Sequence, residues 1–333
     1  MEMVADDLEP TTIFFGGGTP SILNLRQWER VLQVMNRLEL TGAGEWTVEC
    51  NPATLSLEKA KLLRDGGVNR ISMGVQSLNA DLLDRLGRVH SRAMVFKSYD
   101  NLRAAGFERI NLDLMFAIPS QTMEMWQSSL RETAALEPEH LSCYEVIYEQ
   151  DTPLYEQLQA GEFNVQEELA CDMFEELVRF ANENSFHQYE VANFALNRGK
   201  GEFGIPSEAC WHNINYWRGG DYHGLGPSAT GYVRGVRTTN IANTQAYCES
   251  LEKGQRACRL DHGRLLPAVL LRDPLLRTPR LQQLAQQPGP DDPDDSYPNH
   301  QPGSRLQVDA AEATGRGDCR VEHRRSGNDR NRG

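Results

Sequence analysis

The residues best suited to chemistry stand at the ends of short apolar runs in the first half of the chain. Thr12-Ile13-Phe14-Phe15 runs into Gly16-Gly17-Gly18-Thr19-Pro20, and Trp46-Thr47-Val48 runs into Glu49. Arg70 to Val75 ends on Gln76, the run from Arg109 to Leu114 contains Asp113, and His140 to Val146 carries Tyr144 and Glu145. Glycines have no Cβ, so consecutive N–H groups can come within hydrogen-bond distance of an anionic or zwitterionic ligand. Pro20 is expected to keep that turn from closing into a helix too early. Arg88 lies twelve residues after Gln76, past a short helical segment, and can reach back over the same ground. Together these groups suit a zwitterionic ligand that carries a ribose and a carboxylate. Carboxylates or backbone carbonyls would take its ammonium and hydroxyls, and the arginine its carboxylate in a fork.

Taken singly, each has a plainer role. The glycines fit an ordinary strand-to-helix connection, Glu49 a cap on the Asn51-Pro52 loop, and Arg88 a solvated charge at a helix end. Asp113 is harder to explain away, because an unpaired carboxylate inside an apolar strand is costly. The recurrence at successive strand ends carries the signal.

The elements that must position these groups follow from the apolar spacing. Leu25, Trp28, Val31, Leu32 and Met35 recur at helical intervals, and Leu57 to Asp65 forms a second helix closed by Gly66-Gly67. Helices are expected over Ala80–Leu86, Ala93–Ala105, Met123–Leu136 and Gln166–Asn182, with a further strand from Tyr189 to Phe194. The first five strands alternate with helices and no tight hairpin joins them, which implies βα units in one parallel sheet. Such units build a TIM-type barrel or an open doubly wound sheet. The spread of polar residues over every strand end favours the barrel, whose chemistry sits at that end. Beyond it, Trp211-His212-Asn213-Ile214-Asn215-Tyr216-Trp217 is a dense aromatic and polar cluster, followed by a glycine-rich segment from Gly219 to Ala229.

Composition sets the bounds. The 333 residues are 39% hydrophobic and 24% charged, ordinary for a chain that buries a sizeable core. No apolar run approaches the roughly 18 residues of a membrane span, and no leader is evident. A net charge of -13 argues against a nucleic-acid surface. Seven dispersed cysteines, with no short-spaced pair, read as reduced thiols of a cytoplasmic protein and supply no metal site. Beyond residue 258 there are twelve arginines but no lysine, and no Phe, Trp, Ile or Met. Such a segment buries too little to offset about 1–2 kcal/mol of backbone entropy per residue, so disorder is expected over 259–333. Its composition points to a change of reading frame in preference to a functional tail.

From about Thr11 to Ala257 the chain resembles the radical S-adenosylmethionine (SAM) proteins of the oxygen-independent coproporphyrinogen III oxidase family, and more closely their HemW branch. The resemblance rests on Gly16-Gly17-Gly18-Thr19-Pro20, Glu49-Cys50-Asn51-Pro52, Gly74-Val75-Gln76-Ser77, Arg88-Val89-His90, Asn111-Leu112-Asp113-Leu114-Met115 and Gly224-Leu225-Gly226-Pro227. It implies a SAM site in which Gly17, Gly18 and Thr19 hold the methionine end, with Glu49, Gln76, Arg88 and Asp113 placing the rest. The His212-Asn213-x-x-Tyr216-Trp217 run is similar to the HemW signature and makes His212 the candidate haem ligand. The plainer role for His212 is a packed histidine among aromatics.

One departure is large. The family's Cys-x-x-x-Cys-x-x-Cys motif, which holds a [4Fe–4S] cluster, precedes the glycine loop by a few tens of residues, and this chain begins fifteen residues before Gly16. The resemblance therefore implies an α/β fold: a partial radical SAM barrel over 1–175 without its first strand, then a small α+β accessory region over 176–258. The unpaired edge left behind is expected to lower solubility. A smaller departure is Ala117, where the family usually has glycine. Three functions follow as expectations. One is a porphyrin-metabolising radical SAM oxidoreductase acting on a porphyrinogen. The second is a haem carrier that delivers to an acceptor protein, and the third is a non-functional fragment.

Overall fold

The computed structural model describes residues 8–199, 201, 204–255 and 257–260. Of the tail expected over 259–333, residues 259 and 260 are extended and 261–333 lies outside the described residues. Five parallel strands form the framework: β1 (Thr12–Phe15), β2 (Glu45–Cys50), β3 (Arg70–Gln76), β4 (Ile110–Phe116) and β5 (His140–Glu145). They are joined by α1 (Leu25–Arg37), α2 (Leu57–Asp65), α3 (Ala80–Arg85), α4 (Arg92–Ala104) and α5 (Met123–Ala134). Several helices start on a side-chain cap: Asn24 accepts from Gln27 N–H, Ser56 from Lys59, Ser91 from Met94 and Thr122 from Met125. After α6 (Pro153–Gln159) and α7 (Glu167–Glu183), strands β6 (Phe186–Gln188) and β7 (Asn193–Leu196) complete a seven-stranded sheet in the order β1-β2-β3-β4-β5-β7-β6. Both of these last pairings are antiparallel. This is the expected α/β arrangement of strand–helix units in a parallel sheet.

Strand alternation divides the sheet into two faces. The outer face carries Trp46, Val48, Ile71, Met73, Leu112, Leu114 and Leu141, all fully buried. They share one apolar core with Trp28, Leu63, Leu102, Trp126 and Leu177 from the helices. Full burial of side chains this size stabilises by about 1.5–3 kcal/mol each. The opposite, inner face is polar along its whole width. Parallel register places Thr12 beside Glu45, Glu49 beside Ser72, Ser72 beside Asn111, Gly74 beside Asp113, and Asp113 beside Ser142.

Two local expectations need correction. The segment Tyr189–Phe194 is not one strand: residues 189–192 turn the β6–β7 hairpin, and only Asn193 onward is extended. Glu190 accepts the Ala192 N–H at 3.2 Å and an amide N–H of Asn193, which closes the turn with local bonds that compete with a ladder. Pro20 does not delay a helix but opens one, a single 3-10 turn over Pro20–Ile22, because a first helical position needs no N–H. The aromatic cluster is itself helical, α8 (Trp211–Trp217).

Beyond α8, strands β8 (Thr230–Val233), β9 (Val236–Asn240) and β10 (Cys258–Leu260), with α9 (Thr244–Glu252) before the last, form a separate antiparallel sheet. The Gly224–Pro227 run is pinned to it. Asn240 donates to the carbonyls of Gly224 and Gly226, and a Cβ on Gly224 would stand 2.4 Å from the Thr230 carbonyl oxygen.

Candidate functional site

The glycine turn leaves β1 with Gly17 at φ 76° and Gly18 at φ 71°, left-handed geometry that glycine adopts freely. Gly16 is glycine for a different reason. A Cβ there would lie 2.7 Å from the Phe14 ring and 2.9 Å from the Glu49 carboxyl carbon. Glu49 thus sits directly against the turn and accepts the Gly17 N–H at 3.2 Å. Burial raises its pKa, and that N–H partly opposes the rise. Thr19 is exposed, and its carbonyl accepts from Ile22 N–H.

Gln76 ends β3 where the β3–β4 register shifts between Gly74 and Gln76. Its φ is 64°, and its amide folds back over Gly74. A bulge that re-aims a strained, non-glycine residue at a strand end is a common device of binding sites. Arg88 is exposed but close enough to Asp113 for their charges to interact. Partial desolvation of its side chain lowers its pKa, and the Asp113 charge opposes the shift. Buried His90 anchors the Arg88 segment, with Nε2 3.0 Å from the Val75 carbonyl oxygen.

Asp113 is the centre of the inner face. Asn111 Nδ2 donates to it at 2.6 Å and Ser72 Oγ at 3.2 Å. Burial pushes its pKa up to about 7, Asn111 opposes this, and the Glu49 charge adds to it. Behind Asp113 runs an ordered hydrogen-bond chain. The Cys210 N–H donates to the Tyr189 hydroxyl at 3.1 Å, and that hydroxyl lies 2.7 Å from His140 Nε2. His140 Nδ1 lies 2.6 Å from Asn111 Oδ1. His140 is held neutral by burial and by the nearby Arg70 charge. The donors then all point one way, from the start of α8 toward the Asp113 carboxyl.

His212 stands at the opposite, N-terminal end of the same strands. The Glu45 carboxylate accepts the backbone N–H of Trp211 at 3.1 Å and of His212 at 2.9 Å. Arg70 lies 3.7 Å from that carboxylate, and both side chains are only 2% exposed. An ion pair buried on β2 and β3 therefore fixes the start of a helix more than 160 residues away in sequence. The imidazole lies flat on Phe14, 4.8 Å between centroids at 19°, and meets Tyr216 edge-on at 4.9 Å. Its Nδ1 is 3.1 Å from Thr12 Oγ1, and its Nε2 has no hydrogen-bond partner among the described residues. Burial lowers its pKa against an opposing pull from Glu45, so the ring is neutral near pH 7.

Gly17, Glu49 and Asp113 therefore adjoin one another, with Arg88 in electrostatic reach, while His212 belongs to the far end of the inner face and meets that group only through Phe14. Glu45, Thr12, Phe14, Asn111 and His140 were not singled out as site residues in the sequence. Their signal is the i, i+2 recurrence of polar residues in otherwise apolar strands, as in Glu45-x-Thr47-x-Glu49 and Asn111-x-Asp113.

A strand–helix sheet with a glycine turn and carboxylates gathered at its C-terminal strand ends is the architecture of the radical SAM superfamily, whose family profile matches residues 2–133. The chain belongs to that superfamily, and within it its sequence is similar to the HemW proteins. It is 39% identical over 247 residues to the heme chaperone HemW of Bacillus subtilis, covering 73% of this chain and 63% of that protein. It is 38% identical over 275 residues to the mitochondrial radical S-adenosyl methionine domain-containing protein 1 of Danio rerio, covering 78% and 60%. The structure of the Escherichia coli coproporphyrinogen III oxidase HemN, a radical SAM enzyme, superposes with a TM-score of 0.63 at 22% identity over 75% of this chain and 58% of that one, a likeness of fold. The chain thus spans less than two thirds of the length of these relatives.

Proposed function

We propose that this chain is a HemW-type haem-binding protein that also holds SAM. The observation that carries the haem reading is the state of His212: neutral, clamped on Phe14, with Nδ1 engaged and Nε2 unpartnered among the described residues. That is the donor state a haem iron requires of an imidazole. SAM would lie at the other end of the inner face. There the turn at Gly17, Gly18 and Thr19 would hold the methionine moiety, Glu49 and Asp113 its ammonium and ribose hydroxyls, and Arg88 its carboxylate, with Gln76 completing the rim.

The sequence contains no Cys-x-x-x-Cys-x-x-Cys run, and the six described cysteines are dispersed. None of the family's cluster ligands stands in this chain, so no redox step is derived for it. The haem reading is one of binding and transfer, and it fits a carrier working with a haem-acceptor protein in the cytoplasm. No described helix is long and apolar enough to cross a membrane.

Haem titration of wild type against His212→Ala tests the carrier reading. Loss of at least tenfold in affinity is expected, and equal binding by the two proteins would end it. Calorimetric titration with SAM tests the other end, where Glu49→Gln and Arg88→Ala should each weaken binding about tenfold or more.

A further inference from the structure

Among the described residues, Thr12 supplies the hydroxyl that hydrogen-bonds the His212 ring. It sits on the first residue of β1, facing inward beside Glu45, and its Oγ1 is 3.1 Å from His212 Nδ1. Two further contacts remove the ring's freedom: the Glu45 carboxylate fixes the backbone at the start of α8, and the Phe14 ring fixes the imidazole plane. Neither decides which ring nitrogen carries the proton. Phe14 offers no acceptor, and Glu45 is taken up by N–H groups of 211 and 212 and by Arg70. Thr12 is the group that meets Nδ1, and its hydroxyl can donate to a bare Nδ1 or accept from Nδ1–H. Iron on Nε2 would require the second arrangement.

We infer that Thr12 is a positioning residue for haem coordination: with iron on Nε2, His212 carries its proton on Nδ1, and the Thr12 hydroxyl accepts that N–H and holds the ring with Nε2 turned to the metal. The inference rests on His212 as the haem ligand and adds the group that receives its second ring N–H. Metal-bound histidines as a class donate their second ring N–H to such a partner, and losing the partner typically costs a factor of ten or more in metal affinity. A hydroxyl is a weaker acceptor than a carboxylate, so a smaller effect applies here. Geometry adds a consequence. Thr12, Phe14 and Gly16 are successive inward positions of one strand, so the partner of the haem ligand lies on the strand that delivers the glycine turn.

The test is haem titration and spectroscopy on the full chain for wild type, Thr12→Val, Thr12→Ser and His212→Ala. Valine matches threonine in shape and suits a strand, so T12V removes the hydroxyl without opening a cavity. T12V should bind haem about three- to tenfold more weakly, with a shifted Soret maximum and an altered ferric EPR g-spread. T12S should restore the wild-type values. If T12V matches wild type in affinity and spectrum while H212A loses haem, the inference fails and the haem-ligand reading stands. If H212A also binds as wild type, both fall together. Far-UV circular dichroism on each variant separates a binding defect from an unfolded β1.

Discussion

Glu49 and Asp113 present their carboxyl groups on the same face of the sheet, one on each side of β3, and the charge on Glu49 helps keep Asp113 protonated. Burial is the larger cause, and together they carry Asp113 from 3.8 to about 7. The fold therefore favours the protonated acid over the unfolded chain's ionised one. Asp113 contributes stability that is full below about pH 4 and is lost as the pH rises through 7. In Asp113→Asn that dependence disappears. Its thermal midpoint relative to wild type should begin to gain above pH 4, reach a few degrees by pH 7, and stay level beyond. A difference that does not change with pH would show that Asp113 ionises normally.

Gly16 gives the sharpest test of the turn. Alanine there drives a methyl into the Phe14 ring and the Glu49 carboxyl, where any relief moves both. Gly16→Ala should cost about 1–3 kcal/mol in urea unfolding and weaken SAM binding at least tenfold. Gly42→Ala, with no atom near the added methyl, serves as the control and should leave both unchanged within about 0.5 kcal/mol.

Removing the charge of Glu45 leaves Arg70 buried without its partner and takes the cap from α8. Glu45→Gln should destabilise by about 3–5 kcal/mol. The loss should fall first on the aromatic near-UV signal, because Trp211 and Trp217 ride on that helix. A cost below about 1 kcal/mol would mean that packing alone holds α8 in place.

Ala117 has φ 57° just past the end of β4. A left-handed alanine is strained by roughly 1–2 kcal/mol, partly offset by glycine's greater freedom in the unfolded chain. Ala117→Gly should stabilise by up to about 1 kcal/mol, read as a rise of about 2–4 °C in thermal midpoint. A fall would show that the Ala117 methyl packs usefully.

The sequence made legible what local pattern controls. Leu57–Asp65 was bounded to the residue, and the glycine turn, Glu49, Gln76 and Asp113 stood out because each ends or interrupts an apolar run. What stayed hidden is non-local. The α8 helix is seven residues of mostly poor helix formers, and its start is satisfied by Glu45, far away in the chain. No window of sequence contains that bond. The hairpin at 189–192 was missed because Glu190 closes it with side-chain bonds that look, in sequence, like any strand carboxylate.

The pairing of β1 carries a final consequence. Among the described strands it has one neighbour, β2, with Thr12 opposite Glu45 and Phe14 opposite Thr47. A slip of one residue would send Thr12 and Phe14 outward beneath the helices and bring Ile13 and Phe15 inward. The histidine would lose its hydroxyl and its stacking surface at the same moment that the glycine turn lost its seat against Glu49. Both ends of the inner face would fail in one event, so damage to this edge would read as simultaneous loss of two unrelated ligands.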